Sequence, residues 1–349
     1  MPVETIPSRF FRQARIRPNS PAYYVRRNDQ WVGTTWRDYA KQVSQASCAL
    51  HALGVEADQS VCILGFNRPE WVVMDLANMV IGGAPAGIYT TCSPNEVQYI
   101  IEHAGAPLIL VENIEQWEKV NEERENLPGL KWVVMMKDGG VVDDPMVLSW
   151  EEFLAKGDGV DAEFADQCVQ KLDPNKVATL IYTSGTTGPP KGVMLTHENL
   201  AWTAKVSQGM VNLRPHDCSL SYLPLSHIAE QMFSIHGPIT GGGSVYFAES
   251  LEALPDNLKS VQPTVFFGVP RIWEKFYTGI SNKLALAEGG KAKLVTWARK
   301  VGRDVSRLKN QNKSLGPVLQ AQYLIADKLI FSKLKEAVGL GRARACVSG

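Results

Sequence analysis

The residues with the clearest chemical potential form one run, Tyr182-Thr183-Ser184-Gly185-Thr186-Thr187-Gly188-Pro189-Pro190-Lys191-Gly192-Val193. Its serine and threonines supply hydroxyl donors, and its glycines free backbone N–H groups to turn toward a bound anion. Lys191 adds a mobile positive charge suited to phosphate oxygens. The preceding Val177-Ala178-Thr179-Leu180-Ile181 is an apolar segment that reads as a buried strand. Together these features predict a flexible loop that wraps a polyphosphate. The spacing is not that of a Walker A loop: counted from Gly185, the second glycine position holds Pro190, and Gly192 follows the lysine. Ser, Thr, Gly and Pro are also ordinary turn residues, but this order carries more information than a lone GxGxxG.

Two further stretches bear on chemistry. Tyr222-Leu223-Pro224-Leu225-Ser226-His227-Ile228-Ala229-Glu230-Gln231 places His227 just past a predicted strand, where ligand sites of α/β sheets collect. Taken alone, His227 reads as a structural or surface histidine. Phe266-Phe267-Gly268-Val269-Pro270-Arg271-Ile272-Trp273 puts Trp273 at a helix start, where a core tryptophan is one reading.

The elements that must position these residues alternate between strand and helix. Ala22–Val25 and Gln30–Val32 flank Arg26-Arg27-Asn28-Asp29 as a hairpin. Thr35, with Asp38 three residues on, is an N-cap, and Tyr39, Val43, Ala46, Leu50 and Leu53 keep helical spacing until Gly54. Short buried strands are predicted at 60–65, 87–89, 107–111, 132–135, 217–222, 244–247, 264–267 and 345–347. Helices are predicted to start at Pro69, Pro94 and Thr196, with another around Trp150–Leu154. Val72–Tyr89 is apolar enough to raise a transmembrane question, but Asp75, Asn78, Gly82-Gly83 and Pro85 interrupt it. A buried helix followed by a strand is the expectation. This alternation is the pattern of a parallel sheet covered on both faces.

At 349 residues the chain exceeds one ordinary domain. Thirty-six basic and thirty-six acidic residues balance, which argues against a general nucleic-acid binder. The six cysteines form no CxxC pair, so reduced thiols in a cytoplasmic protein are expected. The first residues lack the basic and apolar regions of a signal peptide.

The Tyr-Thr-Ser-Gly-Thr-Thr-Gly-x-Pro-Lys-Gly-Val run resembles the phosphate-loop signature of adenylate-forming (AMP-binding) enzymes. The Pro-Leu-x-His segment at His227 and the Val-Pro-x-x-Trp segment at Trp273 are similar to those of long-chain, bubblegum-type acyl-CoA synthetases. That resemblance implies ATP-dependent joining of a long-chain fatty acid to AMP, then transfer to coenzyme A, with Mg2+ accompanying ATP. It implies that Thr183, Ser184, Gly185, Thr186, Thr187, Gly188 and Lys191 hold the phosphates. One of Thr183, Thr186 and Thr187 becomes a candidate Mg2+ ligand. His227 and Trp273 are implied to line the acyl site, Trp273 as a tunnel gate or as a core residue. His227 is grouped with Lys191 at the catalytic centre without the role of general base.

The fold implied is α/β, with two stacked doubly wound subdomains: residues 1–172, and residues 173–349 carrying the phosphate loop. The boundary is expected between Gly157 and Val177. The resemblance also implies an adenine segment, a Tyr-Gly-x-Thr-Glu motif, a ribose aspartate and a mobile C-terminal domain, none of which lies in these 349 residues. The chain is therefore expected to be the N-terminal part of such a synthetase, its C-terminal part missing, with weak ATP binding and no turnover alone. A fatty acyl-AMP ligase or other adenylate-former, and a non-catalytic nucleotide- or acyl-binding module, are the competing expectations.

One segment is charge-biased. From Lys291 to Lys313 eight cations face only Asp304, while Leu294, Ala298, Val301, Val305 and Leu308 recur at helical spacing. Such a helix either contacts an anionic membrane peripherally or packs on the surface by one apolar stripe.

Overall fold

The computed structural model describes residues 4–183 and 188–349. The chain divides into two compact units, Met1–Leu251 and Glu252–Gly349.

The first unit opens with α1 (Ile6–Ile16), the hairpin β1 (Pro21–Arg27) and β2 (Gln30–Thr35), and α2 (Trp36–Ala52). Alternation follows: β3 (Val61–Leu64), α3 (Pro69–Val80), β4 (Ala86–Ile88), α4 (Pro94–Ala104), β5 (Leu108–Val111), α5 (Ile114–Glu122) and β6 (Trp132–Met135). Next come β7 (Val147–Leu148), α6 (Trp150–Ala155), α7 (Phe164–Lys171), β8 (Val177–Thr183), β9 (Lys191–Thr196) and α8 (His197–Val211). The unit closes with β10 (Cys218–Ser221), α9 (Ile228–Gln231), a π turn over Met232–His236, α10 (Gly237–Gly241) and β11 (Ser244–Phe247).

Seven strands form one sheet in the order β7-β6-β5-β3-β4-β8-β9, parallel except where β9 runs antiparallel to β8. The period-2 alternation of a strand explains why its members are apolar throughout. Val61, Ile63, Leu108, Leu110 and Val134 enter one core with residues of α1, α2 and α3. The intervening Cys62, Leu64, Ile109, Val111, Val133 and Met135 enter a second core with residues of α4 and α5. A four-stranded sheet, β10-β11-β1-β2, adds Val245 and Phe247 to the first core.

The caps form as the sequence directs. Thr35 accepts from the Asp38 N–H, Pro69 lies in the first turn of α3, and Ser93 makes a reciprocal box with Glu96. The apolar stretch from Val72 is the buried α3 followed by β4, and no described helix is long and apolar enough to cross a membrane. The expected 172/173 boundary falls between α7 and β8, and β8 pairs with β4 inside the seven-stranded sheet.

The second unit contains α11 (Leu254–Val261), β12 (Val265–Gly268), α12 (Pro270–Ala285), α13 (Gly289–Asn310), α14 (Pro317–Ala326), a π turn over Asp327–Phe331, α15 (Ser332–Ala337) and β13 (Ala345–Ser348). β12 and β13 pair in parallel. Ala298, Val301 and Val305 of α13 bury against Leu319, Tyr323 and Ala326 of α14. The stripe read from the sequence is thus the packing face of a helical hairpin.

Candidate functional site

The phosphate-loop run is carried by a hairpin rather than by a free loop. Ile181, Tyr182 and Thr183 pair with Val193, Gly192 and Lys191, in that order. The sequence expectation of a loop over the whole run is corrected here. Lys191 is an exposed residue heading β9, opposite Thr183 at the end of β8, so its backbone is fixed by the ladder and only its side chain is free to move. Ser184, Gly185, Thr186 and Thr187 lie outside the described residues. Gly188 has φ +93°, a conformation that a side chain would strain, and Pro189-Pro190 leads into β9.

The base of the hairpin is tied down. Thr179 Oγ1 and the Leu180 N–H both donate to the Pro85 carbonyl, at 3.1 and 2.9 Å. Tyr182 is buried with its hydroxyl 2.8 Å from His103 Nδ1, and burial raises its pKa, keeping the phenol protonated. β9 passes straight into α8, whose cap is a Thr196–Asn199 box.

His227 is exposed at the N-cap of α9, where its Nδ1 accepts the Ala229 N–H at 3.1 Å. With Nδ1 occupied as acceptor, the neutral ring carries its proton on Nε2. Beneath it lies a buried polar network that sequence reasoning did not find. Glu230 is 2% exposed, and its Oε1 accepts from Ser221 Oγ (2.8 Å), Ser234 Oγ (2.6 Å) and the Tyr222 N–H (3.2 Å). Asn67, on the turn after β3, donates to the Leu223 carbonyl (2.7 Å) and Ser221 Oγ (2.8 Å), and its Oδ1 accepts the Leu225 N–H (3.3 Å). Gln231 Nε2 closes the segment on the Leu225 carbonyl at 3.0 Å.

Burial pushes the Glu230 carboxyl up to about 7, against the opposing pull of the hydrogen bonds from Ser234, Ser221 and the backbone. The sequence held one signal for this network: a carboxylate and an amide set among apolar residues just beyond strand ends.

β4 and β8 are parallel neighbours, and Ser226, beside His227, packs against Gly87 of β4. A Cβ on Gly87 would stand 2.8 Å from the Ser226 Cα, so any side chain there would force the two segments apart. Ser226 is buried. The structure therefore brings the Thr183–Lys191 end of the hairpin and the Ser226–His227 segment to the same, C-terminal end of the sheet. A cleft of about 630 Å3 opens nearby in the same unit; Asn67, Arg68, Glu70 and Lys137 are among its lining.

Trp273 lies in the second unit, in the first turn of α12. Its Nε1–H donates to the Gly268 carbonyl at 2.9 Å, and its ring meets Phe266 and Phe276 edge to face at 5.5 and 5.9 Å. It is half-buried against its own strand and helix.

The AMP-binding enzyme family matches residues 10–328. The long-chain-fatty-acid–CoA ligase ACSBG2 of Xenopus laevis is 38% identical over 331 residues, which cover 93% of this chain and 44% of that protein. The long-chain-fatty-acid–CoA ligase ACSBG1 of Homo sapiens is 36% identical over 326 residues, covering 91% and 44%. The chain thus spans about half the length of these relatives. Among solved structures, the anthranilate CoA ligase AuaEII in complex with anthranoyl-AMP superposes with a TM-score of 0.67 at 24% identity, over 77% of this chain and 51% of that one. That likeness shows the fold: mixed α/β with parallel sheets. The phosphate-loop run, its place at the end of a parallel sheet and the match from Phe10 onward agree, and the chain belongs to the AMP-binding enzyme family.

Proposed function

We propose that these residues furnish the phosphate loop and part of the acyl-side wall of an ATP-dependent long-chain fatty acid–CoA ligase. The observation that supports this reading is that β8, which ends at Thr183 opposite Lys191, is the parallel neighbour of β4, against whose Gly87 Ser226 packs. The names of the relatives supply the substrate class. In this reading a carboxylate oxygen attacks the α-phosphorus of ATP, the bond to the β-phosphate oxygen breaks, and pyrophosphate leaves. The CoA sulfur then attacks the acyl carbon and AMP leaves. Lys191 neutralises charge on the departing pyrophosphate, and Thr183, with Ser184 to Gly188, donates hydrogen bonds to it. His227 is proposed to line the acyl side within the first unit, and Trp273 is proposed separately as an acyl-contacting residue of the second.

Magnesium would enter with ATP, since it takes few protein ligands, and would supply charge neutralisation at the phosphates. Among the described residues no group of three or more His, Cys, Asp or Glu side chains is placed to hold a metal ion. Exposed Thr183 is the one described hydroxyl of the three candidate ligands.

The test joins these residues to the C-terminal half of the Xenopus relative and first checks the joined protein for cooperative unfolding. Palmitate-dependent exchange of pyrophosphate into ATP, and CoA-dependent thioester formation, are the expected results. A folded protein with neither activity overturns the proposal. Exchange without use of CoA would reassign it to the acyl-AMP ligases.

A further inference from the structure

We propose that the second unit docks on an anionic lipid surface through the exposed side of α14, flanked by the cations of α13. The proposal is independent of the enzyme reading, since it rests on charge and exposure alone. The zero net charge of the chain conceals a division. Residues 252–349 carry seventeen Lys and Arg against seven Asp and Glu, whereas residues 1–251 carry nineteen against twenty-nine. One unit is therefore strongly basic and the other acidic, and a basic unit seeks an anionic partner.

The sequence pointed to α13 as the contacting helix, but its apolar stripe is occupied by α14. What α13 presents is charge: Lys291, Lys293, Lys300 and Arg303 are exposed, and none forms an ion pair among the described residues. The apolar half of the surface is on α14 and the π turn that continues it. Val318, Ile325 and Leu329 are 72%, 52% and 44% exposed, and Leu324 is 64% exposed. Val318 and Ile325 are seven residues apart and Leu329 four further on, so they share one side of the helix, beside the face that packs on α13. Lys328 and Lys333 lie exposed along the same stretch.

Exposed aliphatic side chains bordered by lysine and arginine are the pattern of an interfacial helix, which sinks its apolar side among the acyl chains and sets its cations at the headgroups. A nucleic acid would use the cations and leave Val318, Ile325 and Leu329 in water. The combination therefore favours lipid.

The test is sedimentation of the 349-residue chain with vesicles of phosphatidylcholine, with and without 30% phosphatidylserine. Binding is expected to the anionic vesicles, to weaken as salt rises, and to fall about fivefold for each cation lost near the surface. Lys300→Glu with Arg303→Glu should remove the dependence on phosphatidylserine. Ile325→Gln with Leu329→Gln should reduce vesicle binding while leaving any affinity for duplex DNA unchanged. All four positions are exposed, so circular dichroism should show both variants folded. No binding to anionic vesicles, or binding indifferent to either pair, overturns the proposal. Tighter binding to duplex DNA, lost on charge reversal and untouched by the apolar pair, would identify a polyanion patch instead.

Discussion

The Thr183–Lys191 hairpin and the Ser221–Ser234 segment reach the same end of the seven-stranded sheet, yet they are held there by opposite means. The hairpin is positioned by local pairing: β8 and β9 are sequence neighbours, and the ladder sets Lys191 opposite Thr183. The histidine segment is positioned from below by a carboxylate and an amide. Glu230 and Asn67 lie more than 160 residues apart in sequence, or 163 by number, and come within 3.4 Å. Local pairing places exposed chemistry at low cost in specificity. A buried network fixes one geometry but leaves its members expensive to disturb.

The largest effect should therefore come from Glu230→Ala. It removes the acceptor for Ser221, Ser234 and the Tyr222 N–H at a site closed to water, and should cost about 3–5 kcal/mol in denaturant unfolding. A loss below about 1 kcal/mol would mean that the network is not what holds the segment. Glu230→Gln keeps one acceptor and adds a pH test. Because the folded pKa is raised, the carboxyl supports stability below its unfolded value near 4.5 and withdraws that support as pH rises through about 7. The wild-type Tm should fall from pH 5 to 8 by more than that of Glu230→Gln. Buried Asp75, whose pKa is also raised by burial, shifts both proteins alike.

The opposite arm belongs to two histidines beside that segment. His236 is fully buried with neither ring nitrogen bonded, and burial pulls its pKa down to about 3; His197, on α8, is pulled to about 4. A depressed histidine pKa means that the unfolded chain binds the proton first. Stability is thus complete above about pH 6.5 and falls as pH drops toward the folded values, by roughly 2–3 kcal/mol per histidine at pH 4.5. His236→Leu should flatten this acid arm, and an acid arm of unchanged steepness would count against the buried neutral imidazole.

Gly87→Ala should cost less, about 1–3 kcal/mol, by forcing a methyl against the Ser226 Cα. It should also speed amide exchange at Ala229, which His227 caps, while the β9 amide of Val193 keeps its protection. Equal acceleration at both would show that the two regions are not held separately.

Much of this site was legible in the sequence because it is local. The run from Tyr182 to Val193, the Thr35 and Pro94 helix starts, and the apolar strands at 108–111 and 132–135 all declare themselves within a few residues. Even so, β9 is not legible in the sequence, since Lys191-Gly192-Val193 carries turn residues and gains its strand character from pairing with β8. The Asn67–Glu230 pair was illegible for a stronger reason: no short window contains both residues. The sequence places Trp273 at a helix start, but its indole partner, the Gly268 carbonyl, is a backbone group that no side-chain pattern records.

Lys191→Ala should have the smallest effect on the fold and the sharpest on the ligand. The side chain is exposed and forms no ion pair among the described residues, so its loss should change unfolding free energy by no more than about 0.5 kcal/mol. A charge-assisted contact to a phosphate oxygen is worth about 1.5–3 kcal/mol. ATP affinity, read by equilibrium binding, should therefore fall by about ten- to a hundredfold while the unfolding curve stays in place. Lys191→Arg keeps the charge, and with its backbone fixed opposite Thr183 it should recover much of that loss. If the alanine variant instead lost several kcal/mol of stability, the hairpin would be fastened through Lys191 itself, and the contrast with the Glu230 network would collapse. If ATP affinity did not move, the phosphates would lie elsewhere.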